Sequence, residues 1–160
     1  MATIADALRS SILETVPVPE WEQRLPIRPL YASPDFLDKI EEDAVLFDLK
    51  HAQGGRTLYE HLWQRLSEFR CARRPGSGDI HPVMPNHKGI WKMHSNGLRL
   101  FGWAPATHAL ALVEYALADE THSVKGLVAR KREAVLAFIK THGLTQTMMK
   151  GGYLEIFPHE

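Results

Sequence analysis

Gly89-Ile-Trp-Lys-Met-His-Ser-Asn-Gly-Leu-Arg-Leu-Phe-Gly-Trp103 is the stretch that decides the fold. Two apolar and aromatic runs flank Ser95-Asn96-Gly97. Asn-Gly in that setting specifies a two-residue hairpin, because both central positions of the favoured turn need positive φ. With Asn96-Gly97 as the loop, Ser95 pairs with Leu98, His94 with Arg99, Met93 with Leu100 and Lys92 with Phe101. Strand side chains alternate between faces. One face then carries Met93 and Leu100, with Trp91 opposite Gly102, which suits burial under helices. The other carries Lys92, His94 and Arg99, with Ile90, Phe101 and Trp103 at its margin. A loop one residue longer would put Lys92 and Arg99 on opposite faces, so the chemistry depends on the turn.

Working outward, His108-Ala-Leu-Ala-Leu-Val-Glu-Tyr reads as a third, largely buried strand. A helix from about Ser123 to His142 follows, with Leu127, Val128, Ala134, Val135, Phe138 and Ile139 on its apolar side and Gly143 as its stop. Upstream, Ser33-Pro34 has the form of a helix start, with Ser as N-cap and Pro at the first helical position. Phe36, Ile40, Ala44 and Phe47 continue along one face to Gln53-Gly54-Gly55. Thr57-Leu-Tyr-Glu60 has the spacing of a capping box, and Leu58, Leu62, Leu66 and Phe69 form the stripe behind it. Ile27 to Ala32 is β-compatible, with Pro29 placing it at an edge or a strand start. Residues Thr3 to Thr15 read as a short amphipathic helix. The arm Val16-Pro-Val-Pro-Glu-Trp-Glu-Gln-Arg-Leu-Pro follows, and its prolines forbid regular structure. It could wrap the domain or support an oligomer.

The sum is an α+β fold: a small antiparallel sheet with an N-terminal helical hairpin and a C-terminal helix packed on it. The chain divides into an N-terminal helix and proline-rich arm (1–26), the α+β domain (27–143) and a C-terminal tail (144–160). Its 160 residues suit one domain with a real core, and 44% hydrophobic and 24% charged residues are globular values. No apolar run approaches the ~20 residues that span a bilayer. The first residues lack a basic segment followed by an apolar one, and Cys71 is the single cysteine, so the expectation is a cytoplasmic protein without disulfides or membrane contact.

Net charge is zero, from 19 basic and 19 acidic residues, but it is unevenly spread. Residues 1–69 carry 7 basic and 12 acidic side chains, residues 70–103 carry 6 and 1, and residues 104–160 carry 6 of each. The basic middle holds Arg70, Arg73, Arg74, Lys88, Lys92 and Arg99, together with His81, His87 and His94. Such a cluster either solvates a sheet face or binds an anion. For RNA, Arg73, Arg74, Lys88 and His87 are backbone-binding candidates, and Phe101 and Trp103 are candidates for stacking bases. Internal RNA cleavage needs the 2′-hydroxyl deprotonated, the leaving 5′-oxygen protonated and the phosphoryl charge offset. Arg99 suits the last role, since guanidinium matches phosphate in bidentate fashion. His94 titrates in the range for proton transfer, and Lys92 either assists or binds phosphate. Nine histidines show no HExxH motif or ligand-like spacing, so no metal and no cofactor is expected. Gly76-Ser-Gly78 is too short for a phosphate loop. Cys71, although beside Arg70, Arg73 and Arg74, reads first as a packing residue.

The order of elements and particular strings resemble the RelE/ParE toxin superfamily, especially its HigB-like, phage-derived branch. Leu30-Tyr-Ala-Ser-Pro-Asp-Phe-Leu-Asp-Lys-Ile is similar to that family's opening strand and helix. Gly89-Ile-Trp-Lys-Met-His … Leu98-Arg-Leu-Phe-Gly looks like its strand pair, often G-[IL]-[WY]-E-[LM]-R … Y-R-[IVL]-[FY]-[YF]. Ala129-Arg-Lys-Arg-Glu-Ala-Val-Leu-Ala-Phe-Ile resembles its closing helix. The resemblance spans roughly residues 27–143. It implies RNA binding and, for the ribonuclease branch, metal-independent, ribosome-dependent cleavage of messenger RNA, held in check by an antitoxin; the ParE branch poisons gyrase instead. On it, Arg99 matches the recurrent arginine at the scissile phosphate, His94 falls where an arginine commonly ends the preceding strand, and Lys92 replaces a frequent Glu. Leu98 stands where a Tyr is common, Ala118-Asp119-Glu120-Thr121-His122 replaces a Lys-Lys stretch, and neutral net charge departs from strongly basic toxins. The alternative is a non-catalytic phage or mobile-element interaction or assembly protein that keeps the fold and binds a protein partner.

Overall fold

The computed structural model describes residues 1–17, 28–71, 78–85 and 88–158. In chain order its elements are α1 (Ile4–Arg9), β1 (Glu14–Thr15), β2 (Leu30–Ala32), α2 (Pro34–Glu42), α3 (Ala44–Phe47), α4 (Leu58–Cys71), β3 (Ile80–Pro82), β4 (Ile90–Ser95), β5 (Leu98–Trp103), β6 (Leu110–Leu117), α5 (Ala118–Ser123), α6 (Leu127–Thr141) and α7 (Tyr153–Ile156). The strands form one sheet in the order β1-β2-β6-β5-β4-β3. The fold is α+β, as the residue pattern predicts. The sheet, however, is mixed rather than purely antiparallel, because β2 runs parallel to β6, with Leu30 opposite Leu110.

The hairpin adopts the two-residue register read from Asn96-Gly97. Ser95 pairs with Leu98, His94 with Arg99, Met93 with Leu100 and Lys92 with Phe101. Gly97 has the left-handed φ of 75°, whereas Asn96 does not take the positive φ expected of it, so the register is as read but only one of the two central positions is left-handed. Alternation along the strands then makes two cores. Under one face, Trp91, Met93, Leu98, Leu100, Leu110 and Leu112 pack against Phe36 and Ile40 of α2 and against Leu58, Leu62, Leu66 and Phe69 of α4. Ile156 and Phe157, at the end of the chain, complete that core. On the opposite face Ile90, Phe101, Trp103, Ala111 and Val113 pack under Val135 and Ile139 of α6, with Ala7 and Leu13.

Both helix starts of the N-terminal hairpin are built as their residues dictate. Ser33 Oγ accepts from Phe36 N at 3.1 Å, with Pro34 in the first turn. Thr57 and Glu60 cap each other's backbone, at 3.2 and 2.8 Å. Elsewhere the chain breaks where continuous helix is expected. The Phe36-to-Phe47 segment is two helices, because Asp43 ends α2 and its carboxylate accepts from Val45 N to start α3. The helix expected over Thr3 to Thr15 stops at Arg9. Ser11 turns there at φ 56°, and Glu14 and Thr15 pair with β2 instead. The C-terminal helix begins at Leu127, after left-handed Gly126, and α5 occupies the residues before it. Between β5 and β6 the register slips at Phe101/Gly102. Gly102 lies so close to β6 that an added Cβ would sit 1.8 Å from the Ala111 carbonyl oxygen. Among the described residues, no helix is long and apolar enough to cross a membrane.

Candidate functional site

The sheet face under α6 is not uniform along its strands. Nearest the α6 core, the row of Ile90 and Trp103 is apolar and buried. The next row across the sheet is His81, Lys92, Phe101 and Glu114. The row after that, closest to the turn, holds His94, Arg99 and Ala116, with Asp79 joined to His94 by its carbonyl at 2.7 Å. α6 covers the apolar end through Val135 and Ile139 and leaves the turn end to polar side chains.

Lys92, His94 and Arg99 therefore share one face, as the hairpin register predicts, and all three are half-buried. Burial, with Arg99 adding to it, lowers the Lys92 ammonium below its ordinary range. Burial pushes His94 down to about 4; Arg99, His81 and Lys92 push the same way, and only the Asp79 charge opposes them. Arg99 is itself lowered by burial, with Asp119 of α5 acting against the shift. At neutral pH the site thus holds a neutral imidazole beside a guanidinium that stays charged.

The groups that orient this cluster are specific. The Arg99 guanidinium donates to the Leu98 carbonyl at 2.9 Å and to the Ser95 carbonyl at 3.4 Å through a single Nη1, leaving its other donors uncommitted to these carbonyls. The His81 ring lies against that of His94, ring centroids 4.7 Å apart and planes tilted by 49°. The His81 Nε2–H donates to the Gly78 carbonyl at 3.0 Å, a tautomer fixed by the fact that a carbonyl can only accept. His94 Nε2 is shielded from solvent and meets no hydrogen-bond partner among the described residues. A cleft of about 410 Å³ opens beside His94 and Arg99, lined also by Asp79, Arg65, Asn96 and Gln53.

Other cations nearby are paired: Lys131 with Glu114 at 2.8 Å, Lys88 with Glu133 at 3.3 Å, and Arg65 with Asp79 at 3.5 Å. Neither Lys92 nor Arg99 has a carboxylate within 4.0 Å among the described residues. Lys88, a candidate for RNA backbone, is thus engaged with α6. Arg73, Arg74 and His87 lie outside the described residues, as does most of the proline-rich arm. Phe101 and Trp103 have to be corrected as stacking surfaces. Both are completely buried, since the closing helix covers the part of the sheet that carries them. The Trp103 indole N–H is also committed, donating to Thr147 at 3.0 Å.

Asp79 and Arg65 are site residues that sequence reasoning missed, and His81, named only as part of the basic stretch, was not placed beside His94. A spacing of thirteen residues between His81 and His94 has no periodic meaning. Only the pairing of β3 on β4, with His81 opposite Lys92, brings the two rings together. Among the described residues no three His, Cys, Asp or Glu side chains converge as metal ligands. Compared with models of protein families, with curated proteins and with solved structures, the chain finds no match.

Proposed function

We propose that the protein binds RNA through the turn end of this sheet face, as a RelE-like ribonuclease of the metal-independent type. The observation that carries the reading is the pair of half-buried cations, Lys92 and Arg99, left without a carboxylate where neighbouring cations have one. Partial burial already penalises an unpaired charge, so a site that keeps two half-buried cations without carboxylates suits an anion that arrives from outside. Within the observed series β2, α2, α4, β4, β5, β6 and α6 follow the order the family resemblance implies, with α3, β3 and α5 interposed, and this supports the same reading.

In that reading neutral His94 accepts the 2′-hydroxyl proton as the 2′-oxygen bonds to phosphorus. The bond from phosphorus to the 5′-oxygen breaks, and the leaving oxygen takes a proton from the Lys92 ammonium. Arg99 offsets the charge on the phosphoryl oxygens in the transition state. The products are a 2′,3′-cyclic phosphate and a free 5′-hydroxyl, and water returns the proton from His94 to Lys92.

The test is induced expression of the wild type beside Arg99→Ala and His94→Ala. Growth arrest with decay of messenger RNA, lost in Arg99→Ala, supports the reading. Absence of arrest, together with intact RNA when ribosomes are supplied in vitro, overturns it. One observation favours a second reading, that of a non-catalytic interaction protein. Phe47 (43% exposed) stacks on Tyr59 with ring centroids 4.4 Å apart, and exposed Leu49 (76%) follows two residues later. Retained partner binding with no RNA effect in any variant would decide for it.

A further inference from the structure

His81 and His94 raise a question that phosphate binding alone does not answer. A base held at about 4 is a poor acceptor near neutral pH, because proton transfer works best when the catalytic group titrates near the working pH. Yet the geometry places that imidazole in the middle of the unpaired cations. Resting on the reading above, the question is what a bound phosphate does to His94.

The groups facing His94 are few and can all be named. Asp79 and His81 approach from β3, Lys92 lies two residues away on its own strand, and Arg99 stands opposite on β5. Arg65 of α4 lines the cleft but is turned to Asp79, and Asp119 of α5 acts on Arg99. The positive groups outnumber the carboxylates, and both fixed cations push protons away from the imidazole. Phosphate oxygens seated against Lys92 and Arg99 would reverse that field. They would offset the two charges that depress the ring. The His81 Nε2–H donates to the Gly78 carbonyl, which orients its ring beside His94.

We propose that Lys92, His81, His94 and Arg99 form a proton-coupled oxyanion site, in which a phosphate group seated on the two cations raises the proton affinity of His94. The ligand itself then brings the base into its working range. Linkage fixes the sign: a group that binds protons more tightly in the complex makes the complex tighter as pH falls. The gain is at most about tenfold in affinity per pH unit, between the midpoint of the bound state and that of the free state.

Sulfate is the probe, because it stays doubly charged across the range and contributes no proton of its own. Histidine ring resonances of the full chain are titrated between pH 3.5 and 8 in sulfate and in chloride at matched ionic strength. The expected result is a His94 midpoint at least one unit higher in sulfate, with sulfate affinity rising toward low pH. In His94→Gln the sulfate affinity loses its pH dependence, and in Arg99→Gln it falls at least tenfold. An unmoved His94 midpoint with sulfate bound overturns the proposal, as does the absence of sulfate binding. A short single-stranded RNA forms the second arm. If RNA also moves the midpoint, the source is nucleic acid. If only sulfate does, the coupling holds for a free oxyanion and the RNA reading fails alone. RNA binding that leaves His94 unmoved overturns the coupling and leaves the RNA reading standing.

Discussion

His94 lies in a sheet whose burial and whose Arg99 guanidinium hold its imidazole down at about 4, whereas in the unfolded chain it titrates near its ordinary 6.5. The unfolded state therefore binds the extra proton first as the pH drops. The stability His94 contributes is complete above pH 6.5 and is lost progressively as the pH falls through 4. His94→Gln removes that linkage. Thermal melts followed by circular dichroism should show the wild-type Tm dropping more steeply than the variant's between pH 7 and 4.5. Parallel slopes would mean that His94 is not depressed in the folded state. At this scale the site was half legible from the amino-acid order. Lys92, His94 and Arg99 share a face because a period of two and an Asn-Gly turn dictate it. His81 escaped because its contact with His94 is made across strands. Phe101 and Trp103 misled because alternation says which side chains share a face and is silent on what covers that face.

Local chemistry governs whether an element forms, and α4 is the clearest case. Its first turn is closed by Thr57 and Glu60 bonding to each other's backbone N–H, which satisfies two of the donors a helix start leaves open. Thr57→Ala should cost about 1 kcal/mol, read as a lower urea midpoint with an unchanged denaturant slope. No change would mean that packing of Leu58 and Leu62 alone fixes the start. The same locality explains which elements could be read in advance. Caps at Ser33 and Thr57 and the turn at Asn96-Gly97 are written in adjacent residues. The break at Asp43 was missed because Ala44 and Phe47 keep the apolar spacing through it, so the periodicity runs on while the backbone does not. The short pairing of β1 with β2 had no local signal at all, since a two-residue strand exists only by virtue of its partner.

The molecule as a whole is neutral, with carboxylates concentrated before residue 70 and basic groups in the middle of the chain. That balance limits how strongly RNA binding can depend on salt. Single-stranded nucleic acid loses affinity with a log–log slope of about −0.7 for each phosphate neutralised, so Lys92 and Arg99 together predict about −1.4. Binding of a short RNA, followed by fluorescence anisotropy from 50 to 300 mM salt, measures it. A slope near −4 would show that many more cations engage than the two the site leaves unpaired. The parallel contact of β2 with β6 bears on something else, the timing of the protein's birth. Leu30 must find Leu110, eighty residues later, whereas β4, β5 and β6 meet through short connections. Contacts between distant parts of a chain form slowly because closing so long a loop sacrifices entropy before any contact is gained. On a ribosome adding about 5–20 residues per second, Leu30 and Ala32 wait roughly 4–16 seconds for their partner strand to be made. Through that interval the nascent apolar strand has only the two residues of β1 to pair with, which makes it a segment a chaperone would meet early.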